Sequence, residues 1–419
     1  MLGAALTAMW LEVSSTAITY TASVRVDSRV RSNEDAAQED APSIAGDTDF
    51  TPIVGLERRE GNTTLQLDYA PRISLREVTA QARTEVQHVG RFAALWRPER
   101  GLSFRLSEEL VIGSVNLLTT DALPDFDPDP IDPDGPLRPP VGGGPLQPLP
   151  ETDTVHFVSS ATSLTGETSW LGRRWQLSAT TGFSVSGGLD GPAREAVPLQ
   201  YGPRLDTSLS HALSSLSALT TSAAVTHARF STGANNTVVT LTESWTRRMT
   251  RRTSLEAGAG ASIVRSLTAA GVDPDPEPGG ETPDTGPRTE LLPNLTLAVG
   301  HRIPSRTADF DGRVGVRVSP FTDRLTARVY PRADLTVTGT WALGPRVRVA
   351  TTGGTAFAVG GATGDRLVSG GVTASWILNS WMSVDADTRG TWSRSPELPA
   401  ARFQWAAALG LSLRQTGIL

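Results

Sequence analysis

Residues Ile18 to Arg31 read ITYTASVRVDSRVR. Ile18, Tyr20, Ala22, Val24, Val26 and Val30 take even positions, and Thr19, Thr21, Ser23, Arg25, Asp27, Arg29 and Arg31 take odd ones. A strand turns successive side chains to opposite faces, so this run makes one oily face and one charged, wet face. It is also longer than the usual strand of about 5–6 residues. A long strand with lipid on one side and water on the other is the stave of a membrane barrel.

The pattern recurs along the chain. Leu65, Leu67, Tyr69, Ile73 and Leu75 alternate with Gln66, Asp68, Arg72, Ser74 and Arg76, and Leu102, Phe104, Leu106, Leu110 and Ile112 mark another oily face. Such runs predict an all-β fold, a transmembrane antiparallel up-and-down β-barrel of about 18 strands. The connections alternate in length. Those at 33–47, 117–153, 188–200, 267–288 and 393–400 are long and acidic or rich in Gly and Pro. Those at 60–62, 98–101, 171–174, 214–217, 249–252, 343–345 and 379–380 are tight. Short periplasmic turns and long outer loops are the plan of bacterial outer-membrane barrels, which puts both termini on the periplasmic side.

Composition agrees with that plan. No stretch of 18 uncharged apolar residues occurs, and hydrophobic residues make up 38%, too few for a helical membrane bundle. Only every second residue of a barrel strand faces lipid, so near-neutral hydropathy is compatible with spanning. Cysteine is absent, which removes disulfides and thiolate metal sites. The net charge of −6 argues against a nucleic-acid partner.

The barrel is expected over residues 17–414, with surface loops at 117–153 and 267–288 and a tail at 415–419. The segment 1–16 carries small residues at Ala4, Ala5 and Ala8, like the end of a secretory signal peptide, but lacks its charged start. Trp96, Trp170, Trp175, Trp245, Trp341, Trp376 and Trp381 lie within a few residues of the tight turns. Indole rings favour the headgroup boundary, so these predict a membrane-interface girdle at one rim.

Arg25, Asp27, Arg29, Asp68, Arg72, Arg76, Arg105, Arg313, Arg317, Arg328, Arg332, Asp334, Asp385 and Arg389 are the candidate pore-lining residues. On the lipid face such charges would cost about 2–4 kcal/mol each near mid-bilayer, so they are expected inside. Their arginine excess suits anionic or hydroxyl-rich solutes; equally, mixed ladders of Arg and Asp could simply tie strands together. Glu243 breaks the alternation beside Val239, Leu241 and Trp245, which predicts a bulge or a shifted register there.

Other chemistry is sparse. The histidines His88, His156, His211, His227 and His301 fall on separate strands, and Ser210 and His211 face opposite ways, so no catalytic Ser–His pair can be assembled from sequence. The run Asp125, Asp127, Asp129, Asp132 and Asp134 has calcium-like spacing but is interrupted by prolines and lacks a closing Glu. No cofactor and no metal site is expected.

The opening ITYTASVRVDSRV, the Asp49-Phe50-Thr51-Pro52 entry to the second strand, LQLDYAPRISLRE (Leu65 to Glu77) and FAALWRPERGLSFRLSEELVIG (Phe92 to Gly113) resemble Gram-negative outer-membrane barrels. More narrowly, they resemble the barrels of exopolysaccharide secretion loci, including 18-stranded myxobacterial ones. The resemblance implies a bacterial outer-membrane location, export of a polysaccharide, and a periplasmic polysaccharide export protein as partner beside outer-membrane lipid. It carries over no catalytic residue. The readings that remain open are an exopolysaccharide conduit, a general or anion-preferring porin, an outer-membrane enzyme, and a structural barrel.

Overall fold

In the computed structural model the alternating runs become eighteen strands. Residues 18–32, 44–78, 81–115, 155–171, 174–267, 287–305, 308–323, 329–359, 366–394 and 402–418 are described. The strands begin with β1 (Ile18–Ser32), β2 (Ile44–Glu60), β3 (Thr63–Val78), β4 (Gln81–Glu99), β5 (Leu102–Val115) and β6 (Val155–Trp170). They continue with β7 (Trp175–Gly188), β8 (Gln200–Ala212), β9 (Ser217–Phe230), β10 (Asn235–Arg248), β11 (Thr253–Leu267) and β12 (Arg288–Ile303). The last six are β13 (Asp309–Thr322), β14 (Val329–Leu343), β15 (Val347–Ala358), β16 (Arg366–Ile377), β17 (Met382–Arg394) and β18 (Arg402–Ile418).

Each strand pairs antiparallel with its sequence neighbours, and β1 pairs with both β2 and β18, so the sheet closes on itself. Closure removes the unpaired edges that hydrocarbon cannot solvate. The two faces are distinct already in β1: Asp27 and Arg31 are 8% and 7% exposed, while Val26 and Val30 are 38% and 43% exposed. Carried around the ladders, the apolar belt of Val, Leu, Phe and Trp faces outward and the polar set faces the barrel interior.

The structure extends several elements beyond the sequence reading. Asp47, expected in the first loop, lies inside β2 opposite Arg29. β3 and β4 form one long hairpin up to Val78 and Gln81, with Arg76 opposite Arg83. β18 runs on to Ile418, through most of the expected tail, because Thr416, Gly417 and Ile418 pair with β1. Glu243 needs no bulge: β10 keeps one continuous register with β9 and β11, and the carboxylate stands exposed on the outward face opposite Thr221 and Ala259. The register irregularity lies instead in β4, between Trp96 and Glu99.

One short helix was not expected. α1 (Gly191–Ala196) sits in the β7–β8 connection, where the Asp190 side chain accepts from the Ala193 amide at 2.8 Å and a proline occupies the first turn. An Asx cap followed by Pro is a helix-start signal visible in Asp190-Gly191-Pro192. Ala193 and Val197 are buried, and the α1 backbone packs against Gly188 on the interior side, where a β-carbon would strike Ala193. The expected loops at 117–153 and 267–288, with their acidic run, and the segment 1–16 fall almost wholly outside the described residues.

Candidate functional site

Alternation within each strand decides which side chains meet inside the barrel. Arg25, Asp27 and Arg29 of β1, Asp68 and Arg72 of β3, and Arg105 of β5 stand on the interior register. So do Arg313 and Arg317 of β13, Arg332 and Asp334 of β14, and Asp385 and Arg389 of β17. Arg76 has the same register in β3, but its side chain, like the whole of Arg328, lies outside the described residues.

The ladders bring these charges into pairs. Arg25 Nε donates to Asp27 at 2.7 Å, and Arg332 Nε lies 2.9 Å from Asp334. Arg31 donates to Asp47 at 2.9 Å in the most buried of the pairs. Arg72 donates to Asp49, Arg389 sits 3.1 Å from Asp387, and Arg91 sits 3.2 Å from Glu109. Arg313 donates to Glu256 at 2.6 Å. Cross-strand register supplies carboxylates that sequence order alone does not match to an arginine, Asp47, Asp49 and Glu256 among them. The arginine excess read from sequence is therefore largely compensated on the folded wall. A guanidinium held by a carboxylate offers little free positive field to a passing anion.

β18 explains how charges meet across the closure. Its mid-strand interior positions are small: Ala406, Ala408, Gly410 and Ser412. Asp27 and Asp385 flank Gly410 from either side, and a β-carbon on Gly410 would overlap Asp27 Oδ1. Over this gap Arg25 comes within 4.0 Å of Asp385, two strands away.

The wall from β6 to β11 is built differently. Thr165 and Thr180 share a hydrogen bond at 2.9 Å, Thr220 donates to Ser210 at 3.0 Å, Ser222 meets Thr242 at 3.0 Å, and Thr240 meets Ser262 at 2.8 Å. A hydroxyl both donates and accepts, so these rungs satisfy one another and still present lone pairs and protons to the interior. The division into a charged wall and a hydroxyl wall is absent from the sequence, since neither exists until the strands are in register.

The seven tryptophans gather at the tight-turn end of the barrel. Trp96, Trp170, Trp175, Trp245, Trp341 and Trp376 have outward register, and Trp381 stands exposed just before β17. They stack along that rim: Trp96 on Phe104, Trp170 on Trp175, and Trp175 on His211 at 4.0 Å between ring centroids.

All five histidines also face outward, and four bond to a hydroxyl on the neighbouring strand. Tyr69 pairs with His88 at 2.7 Å, Ser114 with His156 at 3.3 Å, Thr237 with His227 at 2.9 Å, and Thr253 with His301 at 3.0 Å. The Ser114–His156 pair is thus one of a repeated set that satisfies an imidazole nitrogen on the apolar face. Among the described residues, no carboxylate or amide hydrogen-bonds to the His156 ring, as a nucleophile–base–orienter arrangement requires.

The sequence matches the profile of the EpsX exopolysaccharide export family over residues 10–419. The chain belongs to that family. No curated protein matches it significantly. Among solved structures, the copper transporter OprC aligns with a TM-score of 0.51 at 10% identity, covering 91% of this chain. The chain spans about 61% of that transporter's length. Pseudomonas aeruginosa OccK11 aligns at 12% identity and a TM-score of 0.44, covering 96% of both chains. Pseudomonas aeruginosa OpdK with vanillate aligns at 10% identity and 0.43, covering 96% of this chain and 99% of that one. The likeness to OprC concerns the fold alone. The family and the closed 18-strand barrel place this protein in the bacterial outer membrane.

Proposed function

We propose that the barrel is a non-enzymatic conduit through which an exopolysaccharide crosses the outer membrane, with the interior charged and hydroxyl residues lining the path. One observation carries this reading: charged and hydroxyl side chains line the interior, with apolar ones such as Val111, Phe157 and Val264 buried among them toward the loop end, and its charges are mostly compensated in pairs. A polyhydroxylated polymer needs many weak hydrogen-bond partners and no strong point of capture, since conduction fails wherever binding is too tight to leave. Family membership supports the same direction. The tryptophan rim is then the periplasmic headgroup girdle, and a periplasmic polysaccharide export protein delivers the polymer there.

Deletion of the gene tests this reading. Surface polysaccharide is lost while repeat units are still synthesised; normal surface polysaccharide in the deletion strain removes the proposal. An anion-preferring porin is the competing channel reading. It requires a strongly anion-selective reversal potential in planar bilayers, whereas paired wall charges give weak selectivity. Arg389→Ala, which releases Asp387, shifts that potential toward cations.

A further inference from the structure

We propose that a pocket at the tight-turn end of the interior, between the β4–β5 and β6–β7 hairpins, is a binding subsite for a neutral glycan segment. The inference rests on the export reading and goes beyond it, naming where the polymer is first held and which charge class is favoured.

The cavity measures about 750 Å³ and is lined by Arg97, Glu99, Arg100, Ser103, Glu167 and Gln176, among others. That volume lies within the roughly 300–1,000 Å³ typical of small-molecule sites. Ser103 lies opposite Glu167 across the β5–β6 ladder, and Gln176 lies opposite Ser169 across β6–β7, all on the interior register. The pocket therefore opens toward the lumen at the rim where the tryptophans gather.

Its floor is held firmly. The Ser169 amide donates to the Gly101 carbonyl at 2.8 Å, tying the β4–β5 turn to β6. Gly101 has φ of +89°, and a β-carbon there would approach the Ser169 carbonyl oxygen to 3.0 Å, so the turn can lie this close only as glycine. Ser103 Oγ points at Glu167 at 3.5 Å. The Arg97 amide donates to the Asn62 carbonyl at 2.9 Å, fixing the third edge.

The donor set decides the ligand class. The lining holds two arginines and two glutamates, and its remaining polar side chains are amides and hydroxyls. A polyanion would meet Glu99 and Glu167, and a divalent cation would meet Arg97 and Arg100. A sugar ring presents adjacent hydroxyls that each donate and accept. Carboxylates, guanidinium forks and amides can each take two neighbouring hydroxyls at once.

Titration calorimetry on the whole barrel in lipid nanodiscs tests the proposal, with maltohexaose and cellohexaose as neutral probes and oligogalacturonate as the anionic one. At least one neutral probe binds saturably, and more tightly than oligogalacturonate. The double variant Glu167→Gln with Gln176→Ala weakens it by about tenfold or more, the loss of one charge-assisted hydrogen bond. Thr237→Val, on the outward face, leaves binding unchanged. Tighter binding of oligogalacturonate, binding of none of the three, or wild-type affinity in the double variant overturns it. In cells, the double variant lowers surface polysaccharide at an unchanged level of folded barrel. If it exports normally and binds nothing, the subsite falls and the export reading stands; only normal surface polysaccharide in the deletion strain removes both.

Discussion

The wall from β17 through β18 and β1 to β5 and the wall from β6 to β11 face the same interior, yet one is fastened mainly by ion pairs and the other mainly by hydroxyl rungs, beside the Arg204–Asp206 pair of β8 and Glu256 of β11. β6–β7, β8–β9 and β10–β11 are joined by tight turns, and turn geometry alone fixes the register of such hairpins. β1 and β18 meet from opposite ends of the chain with no turn between them. A slip of one residue would throw every interior side chain into lipid. A contact such as Arg25 with Asp385 forms only in the observed register. The comparison teaches that charge reaches across the one junction that no turn sets, as in Arg25 with Asp385, while the hairpins carry both kinds of rung.

The sharpest way to break that contrast is Arg31→Ala. It leaves Asp47 buried without its partner and costs about 3–5 kcal/mol in denaturant unfolding from lipid vesicles. Replacing both, Arg31→Met with Asp47→Leu, returns stability close to wild type. Equal loss in the single and double variants would mean the pair is merely packing.

Glu108 gives the next largest effect, with the opposite sign. It sits mid-strand in β5 on the outward face, opposite Phe92 and Thr162, and is exposed there. Glu108→Leu stabilises the barrel in vesicles, by less than the roughly 2–4 kcal/mol assigned to Arg or Lys at mid-bilayer. An unchanged midpoint would place this part of β5 outside the hydrocarbon.

Gly410→Ala probes the closure itself. The added methyl displaces the Asp27 carboxylate, and overpacking of this kind costs about 1–3 kcal/mol. The smallest effect belongs to the hydroxyl wall. Ser222→Ala removes one partner of Thr242 and costs about 0.5–1.5 kcal/mol, while Ser222→Ala with Thr242→Val is nearly neutral. A loss at Ser222 as large as at Arg31 would erase the distinction between the two walls.

Much of this was legible beforehand. The alternation in Ile18–Arg31, repeated to Leu413, carried the strand count and the tight turns. Glu243 shows where local reading went astray: a charge among apolar neighbours suggested a bulge, yet an uninterrupted ladder with β9 and β11 holds it in register. Glu108 and Glu109 are chain neighbours of opposite parity, so one carboxylate faces inward and the other outward. The acidic and small residues around Asp47 point to a loop. Pairing with β1, and from Asp47 on with β3, makes Ile44–Asp49 a strand.

By itself, the sequence determined the fold class, because a period of two is written into each strand and a face must match its solvent. It also determined which end carries the aromatic rim, since tryptophan position relative to a tight turn is local. The tertiary structure alone decided which charges compensate each other, where the hydroxyl rungs run, how α1 lies against Gly188, and that the β4–β5 and β6–β7 hairpins enclose a pocket. Those features depend on register between strands, and at the β1–β18 closure between strands separated by nearly the whole chain, which no local pattern encodes.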